Sequence, residues 1–517
     1  MLDRPSAESR GVVRAAAIIA IGNVASRVLG LARETVIAYL FGASGFVSIF
    51  RVASTIIQSL YDFLVGGMVS AALVPLFSEL AARENKAELW RVASIVLNAL
   101  ALLLAAAVLL LELFAPQLIA ILGGGYDPVL QSAAVEMLRL ILPAIFFLGM
   151  SGVVTGLLYA LKRFTFPAFT TALYNLGIVI VALALTPRFG ITSLVIGILI
   201  GSLLQLFFQL PGLRGMQYHF AIELAHPALK KILQLYLPVL GGLTASIIGV
   251  LIDRNLASRT GAQSLAWMQA ATVLVQLPLG LVGTAISFAI LPTLSRQSTV
   301  YEFQSTLAFG IKLVLLLILP ATIGLLILAR PIVALLFEHG AFTAFDTTQT
   351  ARALQIYLIG LPFAAIDQPL VFAFYARKNT LTPNLVAFAG VAIYLTVALA
   401  LIEAFGMLGL VIANAAQLSA HALIMLWFTH TRLNGLGKQG LSALTAKVFF
   451  ASLAMGLVAW VVASWLERGG ANIFVAALTP ILAASIVYLA MMRVLRVREA
   501  AQMWEMLAQK FRARQLT

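Results

Sequence analysis

The chain has 517 residues, 62% of them hydrophobic and only 10% charged, with no cysteine and a formal charge of +14. A mean hydropathy of +1.01 excludes a water-soluble globular domain of this length and points to an all-α polytopic membrane protein. The absence of cysteine excludes disulfides and thiolate metal sites. The basic residues sit in short clusters between apolar runs, which argues for topogenic signals and against a nucleic-acid partner.

In chain order, the polar start Met1 to Arg14 runs without an Ala-x-Ala cleavage site into an apolar span at 12–40, read as a retained first helix rather than a signal peptide. Further spans follow at 46–80, 88–114, 132–161, 166–185, 191–213, 229–256, 265–295, 305–328, 349–375, 383–402, 407–430, 443–465 and 472–495, about 14 transmembrane helices in all. Several exceed the roughly 20 residues needed to cross, which implies tilt or bends.

Charge in the connecting loops alternates. One set carries Arg4, Arg10 and Arg14; Arg83, Lys86 and Arg91; Lys162 and Arg163; Arg214, Lys230 and Lys231; Arg296; Arg377 and Lys378; Arg432 and Lys438; and the basic tail from Arg493 to Arg514. The other set holds only Arg188, Arg259, Arg330, Arg352 and Arg468. Translocation disfavours Lys and Arg, so the first set is expected in the cytoplasm with both termini. The tail, 496–517, mixes Met503, Trp504, Met506, Leu507 and Phe511 with basic residues, a pattern suited to membrane lipids of an anionic inner leaflet or to a solvated helix.

An internal repeat is also legible. Gly66, Ser70, Pro75 and Ser78 recur in register as Gly283, Ser287, Pro292 and Ser295, and Tyr159-Ala160, Lys162 and Pro167 recur at nearly the same offset as Tyr375-Ala376, Lys378 and Pro383. Both Lys loops fall in the same loop set, so the copies share one orientation. The expected architecture is two parallel six-helix lobes, 12–213 and 229–430, joined by a cytoplasmic linker at 214–228 and followed by two C-terminal helices at 443–495.

Polar residues inside such spans mark function by default. Arg27 and Arg33 lie deep in the first span, where an arginine costs at least about 2.5 kcal/mol unless it faces protein or a wet cavity. Their permanently charged, forked guanidiniums suit a phosphate-bearing substrate. Glu34, seven residues from Arg27 and close to the same helical face, is a candidate structural partner for it. Arg51 and Asp62 share a face of the second span about three turns apart, too far to pair directly. Asp367 and Gln368 are polar within the tenth span, and Asp253-Arg254 lies near the end of the seventh, where snorkelling is cheap. Gly30, Gly66 and Gly67 are candidate hinges, with close helix packing the competing explanation. The segment Gly123-Gly-Gly-Tyr-Asp-Pro128 lacks the Lys-Ser/Thr of a nucleotide loop. No metal site, cofactor or nucleophile–base constellation is expected, so the chain reads as a transporter and not an enzyme.

Ser26-Arg-Val-Leu-Gly-Leu-Ala-Arg-Glu34, Phe41-Gly-Ala43, Val74-Pro75, Leu277-Pro-Leu-Gly280, Leu291-Pro-Thr-Leu-Ser-Arg296, Gly340-Ala-Phe-Thr-Ala-Phe-Asp346 and Phe374-Tyr-Ala376 with Thr382-Pro383 resemble the MurJ/MviN lipid II flippase family, within the multidrug/oligosaccharidyl-lipid/polysaccharide exporter superfamily. The resemblance implies fourteen helices in two lobes and movement of the undecaprenyl-pyrophosphate-linked peptidoglycan precursor to the outer leaflet of a bacterial cell membrane, beside cell-wall synthesis machinery. It places Arg27 and Arg33 among the cavity arginines and Asp253-Arg254 at a frequent acidic–basic pair. The chain departs from the family at Ser48 (usually aspartate), Tyr61-Asp62 (often two arginines), Gly66 (glutamate), and Thr272-Val273 and Gln276 (Asp-Arg and glutamate). Those departures keep open a flippase for another polyprenyl-linked saccharide, a cation-coupled exporter, or a non-transporting scaffold paralogue.

Overall fold

In the computed structural model every described element is helical; the structure describes residues 7–83, 86–433 and 435–502, with side chains from Ala17 onward except Lys438. The expected amphipathic tail from Met503 lies outside the described residues. Helix α1 spans Ala7–Phe41. Thirteen further stretches are long and apolar enough to cross a membrane: α2 (Gly45–Ala81), α3 (Ala87–Gly123), α4 (Pro128–Ala160), α5 (Thr165–Phe189), α6 (Thr192–Leu213), α7 (Pro227–Ser258), α8 (Ser264–Arg296), α9 (Val300–Ile327), α10 (Ala344–Ala376), α11 (Leu381–Phe405), α12 (Met407–Arg432), α13 (Leu441–Arg468) and α14 (Ile473–Val494).

These helices match the expected spans within a few residues, with one correction. The third span does not end at 114; α3 continues through Pro116 to Gly123. A proline inside a membrane helix is tolerated because neighbouring groups re-satisfy the freed backbone. What ends α3 is the glycine run, and α4 then starts where the Asp127 carboxylate accepts hydrogen bonds from the Val129 and Leu130 amides at 2.9 and 3.0 Å. The glycine-rich segment is therefore a capped turn, its Gly125 amide donating to Ser258 Oγ at 2.9 Å.

Packing divides the chain into two compact units, Met1–Ala266 and Trp267–Thr517. In the first, α1 lies along α5, α5 along α6, and α3 against both α4 and α7. Residues 214–228 are strapped to α3: Tyr218 Oη donates to Asn98 Oδ1 at 2.6 Å, Asn98 Nδ2 donates to the Ala221 carbonyl at 3.0 Å, and the His219 amide donates to Ser94 Oγ at 3.1 Å. In the second unit, α9, α10, α12 and α13 share a core containing Phe303, Ile311, Phe374, Met425, Val448 and Met455. The two C-terminal helices are built into that core, where Tyr488 Oη of α14 donates to the Leu316 carbonyl of α9 at 2.6 Å. Large apolar side chains such as Leu113, Trp465 and Ile486 stay exposed, as lipid-facing positions require.

The repeat is visible in the backbone. Helix α2 widens into a π-turn at Asp62–Gly66, with a second at Val69–Leu73, and α8 does the same at Leu279–Thr284, in the register that relates Gly66 to Gly283. Lys162 and Lys378, equivalent positions of the two copies, both adopt positive φ (58° and 57°), closing α4 and α10 with equivalent bonds from Arg163 to the Leu158 carbonyl and from Asn379 to the Phe374 carbonyl. Gly190 and Gly406 share φ of 52° and 54° at the ends of α5 and α11. Matching local distortions in one register require the two segments to fold alike, because each costs strain that packing must offset.

Helix approach in the first unit depends on glycine. A Cβ on Gly22 of α1 would stand 2.1 Å from the Ala168 carbonyl oxygen of α5, whereas one on Gly241 of α7 would meet nothing within 4 Å. Gly22→Ala is expected to destabilise the fold by about 1–3 kcal/mol through overpacking. Gly241→Ala, by raising helix propensity, is expected to leave stability level or raise it by up to about 1 kcal/mol. Thermal unfolding of both purified variants in detergent checks the contrast, and equal melting temperatures would contradict it.

Candidate functional site

Arg33 and Arg51 of the first unit are organised by one carboxylate, that of Glu34. Ser26, Gly30 and Arg33 lie on one face of α1 by helical spacing, and that face meets Asn175 of α5. The Asn175 amide is used at both ends: Oδ1 accepts from Arg33 Nη1 at 3.0 Å and Nδ2 donates to the Ser26 carbonyl at 3.2 Å. Glu34, adjacent to Arg33 and almost fully buried, accepts from Arg33 Nε at 3.2 Å and Nη2 at 2.6 Å. Its carboxylate also accepts from Arg51 of α2, through Nη1 at 3.2 Å and through a shorter bond from Nη2.

The expected pinning of Arg27 by Glu34 is thus replaced by a clamp on Arg33 and Arg51, because α2 presents Arg51 at the depth of Glu34. Two permanently charged guanidiniums facing one carboxylate leave the cluster with an excess positive charge. Each guanidinium has five N–H donors, and the cluster occupies only half of them. Arg51 Nε is buried with no hydrogen-bond partner among the described residues, while the Arg33 side chain keeps 24% of its surface exposed. A positively charged, donor-rich group that is partly open and otherwise dry can receive an anion.

The other expected residues distribute around this cluster and beyond it. Arg27 lies half-buried on α1, two turns before Glu34. Arg254 of α7 donates through Nε to Thr55 Oγ1 at 3.2 Å, and Thr55 in turn donates to the Arg51 carbonyl at 2.7 Å, so α7 is hooked to the same turn of α2. Asp253 forms an ion pair with Arg254 at 3.3 Å. Asp62 accepts from Gln58 at 3.1 Å and pairs with no arginine among the described residues. It lies in the first π-turn of α2, which also contains Gly66; Gly67 follows it, and a Cβ there would approach Leu243 of α7 to 2.8 Å. Gly30 lies within the continuous α1, 3.6 Å from Asn175 Nδ2 as measured to a built Cβ.

Asp367 and Gln368 belong to α10 in the second unit. Asp367 Oδ1 meets His421 Nδ1 of α12 at 2.9 Å. Sequence reasoning missed both Asn175 and His421: an isolated Asn or His in an apolar span has no periodic signal, and only helix packing supplies its partner.

Two motif residues also find a local cause. Thr343 and Asp346 form a reciprocal capping box at the start of α10, and Asp346 additionally accepts from Trp267 Nε1 at 2.8 Å. Ser48 is fully buried and accepts from the Ala266 amide at 3.3 Å.

Removing the shared carboxylate leaves the buried Arg51 and the partly buried Arg33 without their common counter-charge. Glu34→Gln is expected to destabilise the protein by about 3–5 kcal/mol, the usual consequence of breaking a buried pair from one side. Denaturant unfolding in detergent measures it; a loss under about 1 kcal/mol would contradict the clamp.

Comparison with known proteins was consistent across sequence and structure. The family model described as lipid II flippase MurJ matches residues 37–479. The Burkholderia cenocepacia protein named lipid II flippase MurJ is 31% identical over 379 residues, covering 70% of this chain and 73% of the relative. The Vibrio cholerae protein named probable lipid II flippase MurJ is 30% identical over 490 residues, covering 89% and 92%. A solved structure of lipid II flippase MurJ in an inward closed conformation superposes with a TM-score of 0.79 at 27% identity, over 92% of this chain and 98% of that one. An inward-facing multidrug resistance MATE family transporter shares the fold alone, with a TM-score of 0.66 at 16% identity. With helix order, backbone repeat and sequence agreeing over most of its length, the chain belongs to the MurJ family.

Proposed function

We propose that this protein is a flippase that moves the undecaprenyl-pyrophosphate-linked peptidoglycan precursor, lipid II, from the inner to the outer leaflet of a bacterial cell membrane by alternating access. The observation that carries the reading is the Arg33–Glu34–Arg51 cluster, in a chain whose relatives are named lipid II flippases. Translocation needs no bond chemistry. The protein has to replace water around a pyrophosphate with fixed donors while the prenyl chain stays in lipid, and a partly open guanidinium cluster suits the first task.

In this reading Arg27, Arg33 and Arg51 contact the pyrophosphate, and Asp62, Asp253, Arg254, Asp367 and Gln368 are further contributors to the transport path. Gly30, Gly66 and Gly67 allow α1 and α2 to bend. The two π-turns of α2 favour that role for the second helix, since π-turns concentrate at functional sites. The transporting body comprises two six-helix lobes, 12–213 and 229–430, an assignment supported by the shared backbone distortions at Lys162 and Lys378. Departures from the family's charges are compatible with transport. Ser48 is satisfied by the Ala266 amide, and Arg51 draws its counter-charge from Glu34. Partners in the cell-wall synthesis machinery complete the proposal.

Arg27→Ala is expected to abolish lipid II movement in reconstituted vesicles at matched protein content, and Arg27→Lys to restore only part of it. Lysine keeps the charge but loses the planar fork. Normal translocation by Arg27→Ala would remove that residue from the mechanism.

Both termini are assigned to the cytoplasm by the loop charges. Alkaline phosphatase fused after Tyr126 is expected to be active and after Lys162 inactive, because these positions flank α4. Activity at both, or the reverse pattern, would reject the assignment.

A further inference from the structure

Among the described residues the second unit holds an ion pair between two membrane-spanning helices, Asp367 with His421, to which the proposed function gives only a general place on the transport path and no part in binding the pyrophosphate. Asp367 lies nine residues before the end of α10, and His421 eleven before the end of α12. That is about 14 and 16 Å along the helices at 1.5 Å per residue, close to mid-depth in a hydrocarbon core of about 30 Å. Both side chains are 17% exposed. Isolated ionisable groups at this depth are costly, and acid–histidine pairs there are typical of proton paths.

The surroundings of the pair leave one imidazole nitrogen open. Nδ1 of His421 faces Asp367 at 2.9 Å, and Nε2 has no hydrogen-bond partner among the described residues. On α10, Tyr375 lies within electrostatic reach of Asp367. On α11, Gly390 leaves room for Gln417 and His421, its built Cβ lying 3.5 and 3.8 Å from them, and Tyr394 follows one turn later. Charged groups on the packed elements are committed or remote. Lys312 of α9 pairs with Glu499, Asp346 bonds Thr343 and Trp267, and Arg432 donates to Thr382. Arg296, Glu302, Arg330, Arg352, Glu403 and His430 stand toward helix ends.

We propose that Asp367 and His421 form a proton-binding site that couples proton movement to the transport cycle. In the unprotonated state Asp367 is ionised and accepts from neutral His421 Nδ1–H, so the pair carries one negative charge. A proton binding to Nε2 gives an imidazolium facing a carboxylate, and the pair becomes neutral. Histidine is the side chain suited to such a change, because its charge is the one most readily switched near physiological pH. Proton binding is independent of what the protein carries; only the coupling rests on the flippase reading.

The test has two arms. In the first, the full chain labelled with ¹³C,¹⁵N-histidine is reconstituted, and the His421 ring signals are assigned as those missing from H421Q. They are expected to titrate between pH 5 and 8, with the midpoint shifted in D367N. A His421 that does not titrate there, or whose titration D367N leaves unchanged, overturns the site. In the second arm, lipid II movement is measured with the membrane potential clamped and a gradient of about one pH unit imposed. The wild-type rate is expected to change about threefold, within the tenfold limit for a single proton per pH unit. H421Q with a wild-type size-exclusion profile is expected to lose that response, and D367N serves if H421Q does not fold. A wild type unresponsive to the gradient, or a folded variant that keeps the response, overturns the coupling. A wild type that moves no lipid II at any gradient overturns the flippase reading, while the histidine titration still decides the site.

Discussion

A charge inside a membrane has to be answered by another group of the same protein, and in the first unit Glu34 does this for two arginines at once. Sharing one carboxylate ties α2 to α1, since Arg51 of α2 loses its partner on α1 if either helix slides by a turn, while Arg33 stays beside Glu34 on α1 itself. Asn175 extends the constraint to α5 by gripping Arg33 and the Ser26 backbone together. Thr55 carries it to α7 through Arg254. Four helices are thereby registered around one polar cluster in a surrounding that otherwise offers only non-directional packing.

The excess charge of that cluster is the feature on which the proposed function draws. A one-to-one pair would be neutral and closed. Here the second arginine leaves donors unfilled, among them the buried Arg51 Nε, so the same atoms that hold the helices are predisposed to take an anion. The second unit is built differently: its conspicuous polar contact joins the Asp367 carboxylate to the His421 imidazole rather than to a guanidinium. The repeat thus preserves backbone form while the side chains have diverged.

That preservation is sharpest where the backbone is strained. The π-turns of α2 and α8 and the left-handed lysines after α4 and α10 are each unfavourable in isolation. A lysine rather than glycine at such a helix end accepts the steric cost while putting a positively charged residue at the negative end of the helix dipole. Its recurrence explains why the Tyr-Ala-x-Lys pattern is detectable in the sequence at all.

Much of the fold was legible from the residues because the bilayer makes hydropathy decisive: apolar length alone located each membrane-spanning helix, and only the far end of α3, through Pro116 to Gly123, lay beyond its expected span. Composition also singled out Arg27, Arg33, Arg51 and Asp367, since a charge in an apolar span is conspicuous whatever its neighbours. Partnership was not legible. Glu34 lies seven residues from Arg27 on the same helix, yet the tertiary structure turns it to Arg33 and Arg51, and it brings Asn175 and His421, unremarkable in sequence, onto the charged groups. The cost of burying a charge is set by the residue itself, whereas its compensation depends on which helix packs beside it, and that only the folded chain decides.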